Sequence, residues 1–314
     1  MEDNKMKKLK ALFGMLAIAS AIGFISCSNG AKYEEPENAP AKGDEGFVSK
    51  YLTMKEIEAG SFSFKYGADD DNAETVELQA FKISDTEITQ ELYEAVMETN
   101  PSSFKENAAE GEVQEKRPVD SVSFYAALVF CNKLSEKEGL TPVYKIGDST
   151  DTGTWGDIPT ANDDKWNAVT EDDNADGFRI PHEKEWMFAA LGDKAKDFSG
   201  FDNACFAGAT GEADLNQYAW YKARLEGETN VNGGDSEGKT HQVATKSPNS
   251  NGLFDMSGNL WELCWETMAN GNHVRRGGAF GSEWTDQLSV STRWDIPAHE
   301  GWGDVGFRIV QKVE

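Results

Sequence analysis

The sequence predicts an α+β fold with little regular secondary structure, two or three helices and small antiparallel sheets. Three helical periods are separated by long irregular segments, which excludes both a repeat array and the alternating pattern of a doubly wound sheet. Nine Trp and 30 Gly among 314 residues point to large rings packed between tight turns. Hydrophobic residues make up 39%, enough to bury a core.

The elements follow in chain order. Residues 51–57 and 61–66 read as short strands around Ala59-Gly60, and residues 76–83 alternate as a third. Thr89 caps a helix over residues 90–98, with Leu92 and Val96 on one face and Asn100-Pro101 as the stop. Ser123 caps a longer helix whose buried face is Phe124, Ala127, Leu128, Cys131 and Leu134, ended by Gly139. Pro181 opens a third, with Trp186, Ala189 and Ala190 on one face, Glu183 in the first turn and Gly192 as the stop. Residues 147–176 are rich in Asp, hold Trp155 and Trp166 without an apolar period, and read as one long surface excursion. Their acids lack the spacing of a calcium loop. Strands over residues 275–280, 288–293 and 305–310 close the chain.

At the N-terminus, Lys5, Lys7, Lys8 and Lys10 precede an uncharged apolar run over residues 11–25, then Ser26-Cys27. The run is shorter than the about 20 residues that cross a bilayer. It resembles a bacterial lipoprotein signal in which Cys27 is lipidated, with Phe24 where Leu is usual; the alternative is a plain secretory signal with an incidental cysteine. The expected organisation is a signal peptide over residues 1–26, lipidated Cys27 with a tether to residue 46 rich in Pro, Glu and Ala, and one domain over residues 47–314. The mature chain is then exported and lipid-anchored to the envelope, at the cell surface on the outer membrane. Cys131, Cys205 and Cys264 remain, which allows one disulfide at most, and no Cys-x-x-Cys or Cys/His cluster marks a zinc or redox site. A net charge of −25 argues against a nucleic-acid partner.

Six motifs occur in order: Arg117-Pro-Val-Asp-Ser-Val-Ser-Phe124, Phe130-Cys-Asn-Lys-Leu134, Gly177-Phe-Arg-Ile-Pro-His-Glu-Lys-Glu-Trp186, Pro248-Asn-Ser-Asn-Gly-Leu-Phe-Asp-Met-Ser-Gly-Asn-Leu-Trp-Glu262, Arg276-Gly-Gly-Ala-Phe280 and Gly306-Phe-Arg308. Together they resemble the formylglycine-generating-enzyme, or sulfatase-modifying-factor, domain over about residues 47–310. The resemblance implies a C-type lectin-like fold in which the N- and C-terminal strands meet. It does not settle function, because the family holds both enzymes and binding proteins. The family's enzyme oxidises a substrate cysteine with a copper-binding cysteine pair just after the Arg-Gly-Gly segment. Here that stretch reads Gly281-Ser-Glu-Trp-Thr-Asp-Gln287, and no cysteine follows Cys264. Cu(I) needs thiolates, so neither Ser282 nor Asp286 substitutes. A related branch makes sulfoxides at a three-histidine iron on an added helical domain; no such domain fits before Phe47, and His182, His241, His273 and His299 lack ligand spacing. The expectation is a protein that is not an enzyme.

His182 with Glu183 and Glu185 reads as a polar helix cap rather than an acid/base cluster. Trp261-Glu262 reads mainly as core. The resemblance also implies a calcium held by Asp255 and Glu262 carboxylates and by the carbonyls of Gly258 and Leu260; equally, Asp255 and Glu262 could hydrogen-bond the turn's own amides. No cofactor is required beyond this structural Ca²⁺.

Residues 280–304 interleave Trp284, Trp294 and Trp302 with short polar groups, the composition of binding loops. The alternative is that these rings are core. The candidate ligand-binding residues are Phe280, Ser282, Trp284, Asp286, Trp294, Asp295, Ile296, His299, Trp302 and Asp304. This ending also resembles the variable region of lipoproteins of the treponemal variable type, diversified by diversity-generating retroelements, and the likeness implies substitutions concentrated at Trp284, Trp294, Asp295, Ile296, Trp302 and Asp304. A repeat of the codons for residues 276–308, differing at template adenines beside a reverse transcriptase gene, would be its mark in DNA. Three functions stand: a surface-anchored monomer that binds a protein or glycan ligand, an assembly subunit of an envelope machine, and an enzyme of another chemistry.

Overall fold

The computed structural model describes residues 46–65, 73–226 and 229–313; the leader, Cys27 and the tether lie outside them. Strands β1 (Met54–Ile57), β2 (Gly60–Phe64), β3 (Glu74–Leu78) and β4 (Phe81–Ser84) precede helices α1 (Gln90–Met97) and α2 (Phe124–Lys137). Then come β5 (Tyr144–Lys145), the one-turn α3 (Asp164–Asn167), β6 (Thr170–Glu171), β7 (Phe178–Arg179) and α4 (Glu183–Leu191). Short pairs β8 (Ser199–Gly200), β9 (Leu225–Glu226) and β10 (Thr229–Asn230) lead to β11 (Trp261–Thr267), β12 (His273–Arg276), β13 (Arg293–Ile296), β14 (Val305–Gly306) and β15 (Val310–Lys312).

The first and last strands of the described domain share the sheet β1-β4-β15-β7, where Val310 opposes Ile83. A second four-stranded sheet, β13-β12-β11-β14, carries the C-terminal loops. Its inner strand β11 is buried continuously over its first four residues, as a strand covered on both faces must be. The three periodic helices form where their caps require. The Thr89 hydroxyl accepts the Leu92 N–H at 3.3 Å, and the Ser123 hydroxyl accepts the Ala126 N–H at 3.2 Å. Helix α1 stops earlier than Asn100-Pro101, because Glu98 enters the left-handed region at φ 61°.

Several expectations are corrected. The alternation over residues 76–83 spans two strands in different sheets: β3 pairs β2, whereas β4 pairs β1 and β15, and Gln79-Ala80 turns the chain between them. The strand expected over residues 288–293 lies later, at β13, because residues 285–288 wind into a 3₁₀ turn that buries Leu288. The Asp-rich stretch is more than a surface excursion. Trp155 and Trp166 are both buried, packed edge to face at 5.6 Å, and they nail the segment to the main core beside α2. Cys131, Cys205 and Cys264 are buried free thiols, so the one disulfide that the count allowed does not form.

Candidate functional site

The motif residues converge inside the fold rather than on its surface. Arg308 and Glu262, both fully buried, form a two-pronged ion pair at 2.6 and 2.7 Å; Trp186 Nε1 donates to the same carboxylate at 2.6 Å. Arg308 also donates to the carbonyls of Ser84 and Phe254, which ties β15's approach to the first sheet. Arg276 and Arg293 both reach Glu183 Oε1, at 2.9 and 2.6 Å through Nε, and Arg179 pairs Glu185 at 2.6 Å. The Glu183 pairs are internal struts between α4 and the C-terminal sheet, and the Glu185 pair ties α4 to β7 of the first sheet.

The loop over residues 255–262 is knotted around them. Asp255 and Asn259 take left-handed backbone at φ 58°, and at Gly258, φ 86°, a Cβ would stand 2.3 Å from the Trp220 carbonyl oxygen, so only glycine fits. Buried Glu87 accepts the Leu260 N–H and the Asn259 side-chain amide. Burial, then repulsion from Asp255 and Glu262, pushes the Glu87 carboxyl well above its usual range; burial pushes Asp255 up to about 6.

Of the residues expected to hold calcium, both Glu262 oxygens are engaged by Arg308, one of them also by Trp186, and Asp255 Oδ2 accepts the Ala244 N–H at 2.9 Å, while Asp255 Oδ1 is buried without a hydrogen-bond partner. Gly258 and Leu260 lie in the same turn, the Gly258 N–H donating to the Gly277 carbonyl.

His182 caps α4 as its sequence position suggested. Its ring bonds Glu266 at 3.0 Å and Glu171 at 3.1 Å, Glu185 accepts its N–H at 2.8 Å, and Glu266 accepts the Glu183 N–H. Burial disfavours the imidazolium, yet the two carboxylates outweigh it and push the ring up to about 10.

The ten candidate ligand residues divide. Of the nine Trp, those exposed are Trp284, Trp294 and Trp302, at 57%, 47% and 37%. Trp294, Asp295, Trp302 and Asp304 surround buried Arg275, whose guanidinium lies 4.6 Å from the Trp302 ring centre, 5.1 Å from Trp261 and 5.8 Å from Trp294. Asp295 is braced by the Asn270 and Asn272 amides at 2.6 and 2.8 Å. His299 is half-buried, beside Glu300, which accepts Trp302 Nε1 at 2.5 Å. Trp284 and Asp286 belong to a different cleft, of about 280 Å³, with Glu212, Arg224, Val231 and Asn232; Arg224 lies 4.4 Å over the Trp284 ring. Phe280 is half-buried against Phe104, ring centres 5.0 Å apart.

Two candidates face inward. Ser282 is buried, its hydroxyl accepting the Ala279 N–H at 3.1 Å, and Ile296 is fully buried in the main core. Sequence reasoning missed Arg275, buried against the Trp294 and Trp302 rings, and Arg224, which lies over Trp284, while Trp261 is core as expected. The adjacent Arg275-Arg276 in a strand is the signal that was there: neighbours in a strand point to opposite faces, so Arg276 turns to Glu183 and Arg275 to the indole rings, both buried.

Residues 46–313 match the family model described as the sulfatase-modifying factor enzyme 1-like domain. The chain belongs to that family. Chaperone protein LppX of Paenibacillus barcinonensis is 32% identical over 313 residues, covering 94% of this chain and 97% of the relative. Treponema denticola variable protein 1 superposes with a TM-score of 0.70 at 35% identity, covering 83% of this chain and 95% of that one. The crystal structure of CarF superposes at 0.61 with 24% identity, covering 84% and 99%, and at that identity it speaks to the fold alone.

Proposed function

We propose that this chain is a noncatalytic, lipid-anchored envelope protein that holds a protein or glycan ligand on the surface built by residues 280–304. The observation that carries the reading is that the three Trp of that segment are exposed while the other six are buried or half-buried. Large rings left in water on a scaffold stiffened by buried ion pairs supply contact area at low entropy cost. The lack of any cysteine after Cys264 supports the noncatalytic reading, because copper-dependent cysteine oxidation needs thiolates there. The remaining thiols support it too: burial pushes Cys131, Cys205 and Cys264 up, the reverse of a reactive thiolate. A lipid at Cys27 would hold the domain at the envelope.

A second reading, a chaperone that holds an exported client chain on this face, rests on the name of the LppX relative. One experiment tests both. The full chain and its Trp284→Ala, Trp294→Ala and Trp302→Ala variants are screened against a displayed peptide library and a glycan array. The binding-surface reading expects retained folding with lost or altered capture; a client-binding chaperone expects capture of many unrelated apolar peptides. Unchanged capture by all three variants would defeat both.

A further inference from the structure

Within that binding-surface reading, and resting on it, we infer that Arg275, Asp304 and the Trp294 and Trp302 rings form a subsite for a neutral pyranose residue of a glycan. Arg275 is 4% exposed, yet its Nε and Nη1 have no hydrogen-bond partner. A buried guanidinium with two unspent donors is costly, and the attraction of the three indole faces offsets only part of that. Its ion-pair partner is Asp304 Oδ2, at a long 3.5 Å from Nη1; the Asp304 side chain is 37% exposed and so borders solvent.

This 3.5 Å gap between the paired charges selects the chemistry of its occupant. A donor and an acceptor held this far apart are both completed by a group that accepts from one and donates to the other. A hydroxyl does this. A ligand carboxylate would accept from Arg275 but face Asp304, with Glu300 and Asp295 close by, in a chain of net charge −25. A ligand ammonium would face the guanidinium. Beside the gap, Trp302 and Trp294 turn one side to Arg275 and keep a large part of their surface in water, where the C–H face of a pyranose ring can stack. Glu300 holds the Trp302 indole through its N–H, so the ring is already oriented.

The test uses the full chain in detergent on an array of neutral, acidic and amine-bearing glycans, with a displayed peptide library in parallel. Neutral pyranosides should bind; Trp302→Ala, Asp304→Ala and Arg275→Lys should each weaken that binding about tenfold or more, and Val113→Ala, an exposed residue elsewhere, should leave it unchanged. Near-ultraviolet circular dichroism reports whether each variant is folded. If Arg275→Lys is not, the exposed Trp302→Ala and Asp304→Ala decide. Binding restricted to acidic glycans would overturn the inference, because Arg275 would then be a carboxylate receptor. Peptide capture that depends on Trp302, without any glycan, would overturn it too while leaving the binding-surface reading intact. Neutral-glycan binding indifferent to Trp302 and Asp304 would place the subsite elsewhere and sink it.

Discussion

Along β13 a single face runs from water into the core. Trp294 and Ile296, two residues apart, share that face, yet Trp294 is 47% exposed and Ile296 is fully buried among the residues that pack against α2. Ile296→Ala should therefore cost about 2–5 kcal/mol, while Trp294→Ala and Trp302→Ala, which forfeit ring contacts at the surface, should cost about 1 kcal/mol or less. Denaturant melts of the three variants check this, and a loss of several kcal/mol at Trp294 and Trp302 would mean that the segment is core. Removing one side of the central ion pair should be as damaging as a core truncation. Arg308→Met leaves Glu262 buried and without its counter-charge, beside Glu87 and Asp255, and should cost about 3–5 kcal/mol. Adding Glu262→Gln to it should recover part of that loss, since no uncompensated charge then remains at the pair.

Helix α4 shows how an element's end couples to its surroundings. Its free N–H groups are met by Glu185 and Glu266, and His182 bridges Glu266 to Glu171 on β6. Because the folded His182 is raised to about 10 from an ordinary 6.5, the native state holds a proton that the unfolded chain loses. Its contribution is complete below about pH 6.5 and falls as the pH rises toward 10. The ring is 36% exposed, so the slope should be shallow. Stability measured by urea melts from pH 7 to 10 should fall less steeply in His182→Gln than in the parent chain; parallel slopes would show that the ring is not held as an imidazolium. The element boundaries that sequence reasoning placed well are those with a local cause, the hydroxyl caps at Thr89 and Ser123 and the stop at Gly192. Those it misplaced, residues 76–83 and 288–293, depend on which neighbour a strand meets, and alternation carries no record of the neighbour.

For the whole molecule, ion pairs between motif residues hold the fold, and no cysteine follows Cys264 in the sequence. Purified protein given copper and a sulfatase-type cysteine peptide should form no aldehyde above a protein-free blank; formation above it would restore the enzymatic reading. Among the described residues no helix is long and apolar enough to cross a membrane. The attachment proposed is the lipid at Cys27. Cys27→Ser should leave the domain's melting unchanged and move the protein out of the detergent phase, and partitioning that survives the substitution would refute the anchor.

The sequence by itself determined the helices, their caps and buried faces, the family and the segment in which exposed aromatics gather, because each of these is written in residues a few positions apart or in a motif string. Only the tertiary structure decided that Glu183 meets Arg276, 93 residues on, that Glu262 pairs with Arg308, and that β12 sets Arg275 opposite Trp294. The physical reason is range. Turn and helix preferences act through neighbouring backbone groups, whereas a buried charge takes whichever partner the returning chain brings, and strand register, one residue either way, chooses which arginine turns to Glu183 and which to the rings.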